Sequence, residues 1–182
     1  IKNAFSLYVS PEVVDEMIAH PERLRLGGER REVTVMFTDL AGFTTISEKL
    51  SPEAVANLLN RHLTDMTAIV HRERGTVDKF IGDAVMAFWG APLADPEQSH
   101  HAVRAAIAMQ ESMARLRQEI LAEGGPELHM RIGLHRGECI VGNMGSEQRF
   151  DYSAIGDTVN LASRLEGANK PYGTGILLSQ TV

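Results

Sequence analysis

The sequence predicts an α+β domain, and three observations carry that expectation. Strand-length, β-rich apolar runs alternate with long amphipathic stretches in the order strand, helix, strand, strand, helix, strand. The two middle runs are separated only by Gly82-Asp83, a pair suited to a tight hairpin turn. The chain has 182 residues, 43% of them hydrophobic, which is enough for one compact core and too little for two comfortable ones.

Taken in order, Ser10-Pro11-Glu12 is a helix start, and Val13, Val14, Met17 and Ile18 follow at helical spacing, so a short amphipathic helix is expected over 5–18. Gly27-Gly28-Glu29-Arg30-Arg31 breaks the pattern and reads as a linker. Residues 1–31 are thus an N-terminal helical connector, and the main body is expected over 32–182. Val33 to Thr38 is an apolar β-rich run ending on Asp39, a buried central strand. After Ser51-Pro52-Glu53, the residues Val55, Leu59, Leu63, Met66 and Val70 recur every three or four positions, giving an amphipathic helix that stops before Gly75. Thr76 to Ile81 and Ala84 to Trp89 are the hairpin strands, with Asp83 at the turn. A second helix carries Ala102, Ala106, Met109, Met113, Leu116 and Ile120 on one face, and Gly124-Gly125-Pro126 stops it. Strands are expected over 128–134 and 138–141, a helix over 157–168 capped by Gly167 or Asn169, and a last strand over 175–178. This order is the split βαβ pattern of a ferredoxin-like core, a central antiparallel sheet with flanking helices, extended by a C-terminal helix and strand.

The formal net charge of -6, with acidic and basic residues interspersed, argues against a nucleic-acid partner, which needs a basic stripe to meet phosphates. No apolar run approaches the roughly 20 residues needed to cross a bilayer. The lone Cys139 excludes an intramolecular disulfide and suits a reducing cytoplasmic compartment; it reads as a small buried hydrophobe. The chain begins at Ile1 and ends just after a strand-like run, as an excised domain would, so an upstream sensory or membrane region is compatible with it. The seven histidines show no repeating ligand spacing, and His100-His101 diverge on a helix, so no histidine metal site is expected. The methionines fall on helix stripes, and Phe37, Phe43, Phe80 and Trp89 read as core or pocket-wall aromatics.

Chemistry is expected where Asp39, at the end of the first strand, and Asp83, at the hairpin tip, converge. Hard cations such as Mg²⁺ take a few carboxylate oxygens plus substrate phosphates, and the Leu40 carbonyl is placed to add one oxygen. Taken alone, either aspartate is more often a cap for a strand end or a turn. Two motifs, residues 37–44 (Phe-Thr-Asp-Leu-Ala-Gly-Phe-Thr) and 78–84 (Asp-Lys-Phe-Ile-Gly-Asp-Ala), are followed in order by residues 131–137 (Arg-Ile-Gly-Leu-His-Arg-Gly) and 156–166 (Gly-Asp-Thr-Val-Asn-Leu-Ala-Ser-Arg-Leu-Glu). Together they closely resemble the class III nucleotide cyclase catalytic domain, from about Glu29 to the end of the chain.

The resemblance implies that Asp39 and Asp83 bind two Mg²⁺ or Mn²⁺ ions per site, that Asn160 touches the ribose and that Arg164 meets the transition-state phosphate. It further implies Phe43, Thr44 and Arg149 in substrate binding, Arg149 toward phosphates. The reaction implied is attack of the ribose 3′-hydroxyl on the α-phosphorus, leaving a 3′,5′-cyclic nucleotide and pyrophosphate. Asn160 and Arg164, four residues apart, share one helix face, while Leu161 and Leu165 are placed to point to the core. Lys79 matches the position where adenine-specific members carry lysine and guanine-specific ones usually glutamate. Lysine only donates, so it suits adenine N1 and opposes the N1–H of guanine, and ATP is the expected substrate. The partner position is Ser153, where many members carry aspartate and one branch, noted for bicarbonate stimulation, threonine. A serine hydroxyl can accept from the adenine amino group or donate to guanine O6, so discrimination is expected to rest chiefly on Lys79.

Lys79 and Asp83 lie about 13 Å apart along an extended strand, too far to grip one small group. In the family the site lies between two protomers, one giving the aspartates and the other the lysine, asparagine and arginine. This chain holds both halves, so a head-to-tail homodimer with two equivalent sites is expected. The family domain usually continues with a further helix and a hairpin bearing a triphosphate-binding lysine, so the domain is expected to be C-terminally incomplete at Val182. The competing readings are a guanylate cyclase, a catalytically silent nucleotide-binding signalling module, and a polymerase-like palm, which the acidic surface and later motifs disfavour.

Overall fold

Strand β1 (Gly27–Leu40) is the spine of the sheet, in a computed structural model that describes residues 11–23 and 26–182. It pairs antiparallel with β4 (Met130–Ser146) along its whole length, from Gly27↔Asn143 to Leu40↔Met130. On its other edge Thr34–Thr38 pair with β3 (Ala84–Trp89), which closes a hairpin with β2 (Thr76–Ile81). The outer edge of β4 is shared. β6 (Ile176–Leu178) lies parallel to residues 132–134, and β5 (Arg149–Ile155) lies antiparallel to residues 140–146. The order is β2-β3-β1-β4-β5, with β6 beside β4 in a six-stranded mixed sheet. The expected α+β class and ferredoxin-like core are present.

Side-chain parity along β1 builds two cores, because successive residues face opposite sides of a strand. Met36 and Leu40 join Val85, Ala87, Trp89, Ile132 and Leu134 under α3 (Pro52–Arg72) and α4 (Gln98–Ala122). Val33 and Val35 join Met86, Phe88, Val141 and Ala154 under α5 (Asp157–Tyr172). The short helices α1 (Pro11–Ala19) and α2 (Phe43–Ser47) complete the described chain. Residues 5–10 of the expected first helix lie outside the described residues. Helix α3 starts as expected: Pro52 follows the Ser51 cap, whose hydroxyl accepts from the Ala54 amide at 3.2 Å. Its buried stripe, Leu58, His62, Met66, Ile69 and Val70, is rotated slightly from the expected one. Burial pulls the His62 ring down to about 4, so it sits neutral in that interface. All six apolar positions expected to be buried on α4 are buried. Among the described residues no helix is long and apolar enough to cross a membrane.

The structure departs from these expectations at five points. The linker expected at Gly27–Arg31 is the first part of β1. Its glycines mark close approach, since a Cβ on the facing Gly142 would lie 2.2 Å from the Gly27 carbonyl oxygen. The two strands expected over 128–134 and 138–141 are one, because the polar residues between them find partners: Arg136 meets Glu32 and Ser99, and His135 meets Ser179. The segment 149–155 is a strand that was not anticipated. Helix α5 runs past Ala168 through Pro171 to a left-handed Gly173. Asn169 does not cap it: its Nδ2 donates to the Ile132 carbonyl at 2.9 Å and ties the helix to β4. Leu161 is 38% exposed, not core; Thr158 and Ala162 face the sheet instead.

Helix α5 and β4 meet at Gly133, where an added Cβ would lie 2.1 Å from the Glu166 amide nitrogen and 2.4 Å from the Ala162 carbonyl oxygen. Backbone cannot yield there as a flexible side chain could. Gly133→Ala is expected to lower stability by about 1–3 kcal/mol. Gly167→Ala, on the open side of the same helix with nothing near its Cβ, should raise it by about 0.5–1 kcal/mol. Urea unfolding of both variants checks the pair.

Candidate active site

Asp39 lies one residue before the end of β1, on the parity of Val33 and Val35, and therefore faces α5. Asp83 sits in the two-residue turn between β2 and β3, whose first residue, Gly82, has φ 62. The turn brings Asp83 back to β1: its Oδ2 accepts from the Leu40 amide at 2.8 Å, and its carboxyl faces that of Asp39. The two aspartates thus converge as expected. Burial, and then the facing Asp39, push the Asp83 carboxyl up to about 6.

A cation already stands beside this pair. Arg131, on β4 opposite Asp39, donates Nη2 to Asp39 Oδ2 at 3.0 Å and Nε to Glu166 Oε2 of α5 at 3.1 Å. Burial and the charge of Asp39 push the Glu166 carboxyl up, while Arg131 pulls it back. Arg131 and Glu166 fall within the sequence motifs, but an Arg and a Glu on separate elements carry no sequence signal that they bracket an aspartate.

The pair suits a divalent metal. Among the described residues no group of three or more His, Cys, Asp or Glu side chains forms a ready metal cage. Two facing carboxylates without such a cage fit a hard cation that completes its shell with waters and substrate phosphates.

A second cluster lies farther down the hairpin. A register shift in β2 between Val77 and Lys79 turns Asp78 out of the ladder. Its fully buried carboxylate reaches β5, accepting at Oδ2 from Ser153 Oγ at 2.7 Å and from the Ala154 amide at 3.1 Å. Lys79 Nζ stands 3.7 Å from Oδ1. Burial pushes Asp78 up, and the bonds from Ser153 and Ala154 and the charge of Lys79 draw it back. Lys79 and Ser153 are thus brought together as expected, through an aspartate to which no role was given.

Asn160 and Arg164 both lie on the exposed side of α5, and among the described residues no carboxylate pairs with Arg164. The ring of Phe43 is buried in the main core cluster with Leu40 and Leu58, in line with its reading as a core aromatic. Thr44 is exposed in the first turn of α2, after the left-handed Gly42. Arg149 starts β5, exposed, about 13 Å along the strand from Ser153, and joins neither cluster. Phe80, expected as a core or pocket-wall aromatic, is 47% exposed. Cys139 is buried and pushed up to about 11, an inert thiol as expected.

Residues 28–182 match the adenylate and guanylate cyclase catalytic domain family. This chain belongs to that family. The cyclase domain is 45% identical over 181 residues to Adenylate cyclase 1 of Rhizobium meliloti (strain 1021), covering 98% of this chain and 27% of that protein. Among solved structures, the adenylyl cyclase CyaB from P. aeruginosa is similar at TM-score 0.80 and 44% identity, over 85% of this chain and 80% of that chain. The guanylyl cyclase Cya2 is similar at TM-score 0.79 and 38% identity, over 86% and 78%. Both purine specificities therefore occur on closely similar folds.

The raised Asp83 gives the cyclase domain a pH signature. Between the unfolded value of 3.8 and about 6 the folded chain holds a proton that the unfolded chain releases. The Asp83 contribution to stability is therefore present at the acid end and lost as pH rises through about 6. In the metal-free chain, Asp83→Asn should gain thermal stability relative to wild type between about pH 5 and pH 7.5, read by melting in chelator at both pH values.

Proposed function

We propose that this chain is an adenylate cyclase, converting ATP to 3′,5′-cyclic AMP and pyrophosphate at sites shared between two copies of itself. The observation that carries the shared site is the facing of α5. Glu166 reaches in to Arg131 beside Asp39. Arg164 stands two residues earlier, about 200° around the helix at 100° per residue, and so points away from the aspartates of its own chain. Asn160, four residues before Arg164, shares that outward face. Exposed Phe80, Ile81, Ile155 and Leu161 supply apolar surface on the hairpin, β5 and α5 for a second copy to cover.

In this reading Asp39, Asp83 and the Leu40 carbonyl hold two Mg²⁺ or Mn²⁺ ions, which supply Lewis acidity toward the ribose 3′-hydroxyl and neutralise the triphosphate. Arg131, held by Glu166, keeps Asp39 oriented. From the other protomer, Arg164 offers a permanently charged fork to the phosphate oxygens, and Asn160 fixes the ribose so that the 3′-oxygen faces the α-phosphorus. The 3′-hydroxyl gives its proton to solvent as its oxygen bonds to the α-phosphorus, the bond to the bridging oxygen breaks, and pyrophosphate leaves with the charge. Thr44 lies near the triphosphate, and Arg149 serves it only if a partner's surface brings them together. Lys79 donates to adenine N1, and its 45% exposed side chain leaves it free to do so. A buried Cys139 suits the reducing cytoplasm, where we place the domain, downstream of a sensory or membrane region in the longer protein.

Cyclisation assays with ATP and GTP, each with Mg²⁺ or Mn²⁺ over a range of protein concentrations, test this. Cyclic AMP should dominate and specific activity should rise with concentration as dimers form. Cyclic GMP as main product would make the chain a guanylate cyclase, and binding without turnover a silent module. Asp39→Ala and Arg164→Ala should each lower kcat at least about 100-fold. An equal mixture of the two inactive chains should recover about a quarter of wild-type activity, since half the dimers are mixed and each mixed dimer has one intact site. Lack of recovery sinks the shared site. Lys79→Glu should cut kcat/KM for ATP by about 10²-fold or more while sparing GTP.

A further inference from the structure

Ser153 presents a hydroxyl that by itself suits either purine, accepting from a 6-amino group or donating to a 6-carbonyl. In the folded chain its choice is already made. Ser153 Oγ donates to Asp78 Oδ2 at 2.7 Å, and that hydroxyl has one proton to give. The Ala154 amide donates to the same oxygen, and Lys79 Nζ stands 3.7 Å from the other, an arrangement of two donors and a cation that suits an ionised carboxylate with no proton to return. The Asp78 side chain is fully buried and Ser153 is 5% exposed, so water does not compete for the bond.

We infer that Asp78 is a specificity-determining positioning residue: by taking the Ser153 proton it leaves the Ser153 oxygen as an acceptor only, so that the base pocket reads an amino group and rejects a carbonyl. The inference rests on the reading of Lys79 and Ser153 as the base-contacting pair. It changes the division of labour in that reading, because discrimination then comes from two groups of opposite polarity, Lys79 donating to N1 and Ser153 accepting from the 6-amino group. Asp78 bonds Ser153 through one carboxylate oxygen and faces the Lys79 ammonium with the other at 3.7 Å, and it reaches both because the irregularity in β2 turns it toward β5 at the far end of the sheet order. A guanine placed there would set its O6 against the Ser153 oxygen with no proton between them, the type of mismatch that costs most in a buried site.

The test compares kcat/KM for ATP and GTP in the full chain with Mn²⁺. The wild-type preference reports on the underlying reading alone, and a preference for GTP sinks that reading whatever the variants do. Asp78→Ala should lower the ATP-to-GTP ratio on the order of tenfold, by freeing the Ser153 hydroxyl to donate to guanine O6. Asp78→Asn should hold the ratio within about twofold, because its carbonyl oxygen still faces the two donors while the flipped amide would oppose both. In a Ser153→Ala background, Asp78→Ala should leave the ratio unchanged. Equal loss with both nucleotides would reduce Asp78 to a structural tie, and a ratio shift that persists without the Ser153 hydroxyl would assign the effect to Lys79; either result overturns the inference. Should the alanine chain not fold, Asp78→Thr suits a strand, is one bond too short to reach Ser153, and carries the same expected loss. Affinities for 3′-deoxy-ATP and 3′-deoxy-GTP, which cannot cyclise, give the same ratio independently of turnover.

Discussion

The fourteen-residue ladder between β1 and β4 is the constraint on which the rest of the domain depends. With a side-chain period of two, one registration decides which residues face which side. It sends Met36 and Leu40 under α3 and α4, and it sends Asp39 and its partner Arg131 to the side of α5, where Glu166 meets them. A slip by one residue would turn the aspartate into the main core and Met36 to the side of α5. The unbroken length of the ladder makes that slip costly, because every pair from Gly27↔Asn143 onward would have to reform.

Charge is arranged around that ladder with a consistent logic. At its Asp39 end two carboxylates face each other with one arginine at their flank, and the balance leaves room for added positive charge. At the Asp78 cluster one carboxylate oxygen takes both donors from β5, the other is buried without a hydrogen bond and faces Lys79 at 3.7 Å, and the lysine stays partly exposed. On the outer face of α5 a guanidinium stands without a carboxylate among the described residues. Negative and positive ends are thus kept apart within one chain, which is the distribution a self-complementary pair of copies needs.

Features set by neighbours in sequence were legible in it. Val33–Thr38, the α4 stripe, the Ser51-Pro52 cap and the Gly82-Asp83 turn each follow from local pattern, and so the convergence of Asp39 with Asp83 could be foreseen. What was not legible depends on distant partners. Gly27-Gly28 reads as flexible until Gly142 is seen against it, and His135-Arg136-Gly137 reads as a break until Glu32, Ser99 and Ser179 satisfy its polar groups. The bridge from Arg131 to Asp39 and Glu166 and the reach of Asp78 to Ser153 join residues 35 to 92 positions apart, beyond any periodicity. Phe43 and Phe80 show the converse: aromatic identity says nothing about which of two rings the core will take.

The contact at Gly133 has a mechanical consequence. Because the backbone of α5 rests directly on that of β4, the helix cannot roll about its axis without colliding with or leaving the sheet. Glu166 on one side and Arg164 on the other are therefore geared together like teeth on a single fixed wheel. A perturbation arriving at α5 has no independent adjustment of either tooth available to it; it must shift or tilt the helix as a whole, and in doing so it alters the surroundings of Asp39 and the placement of Arg164 in the same stroke.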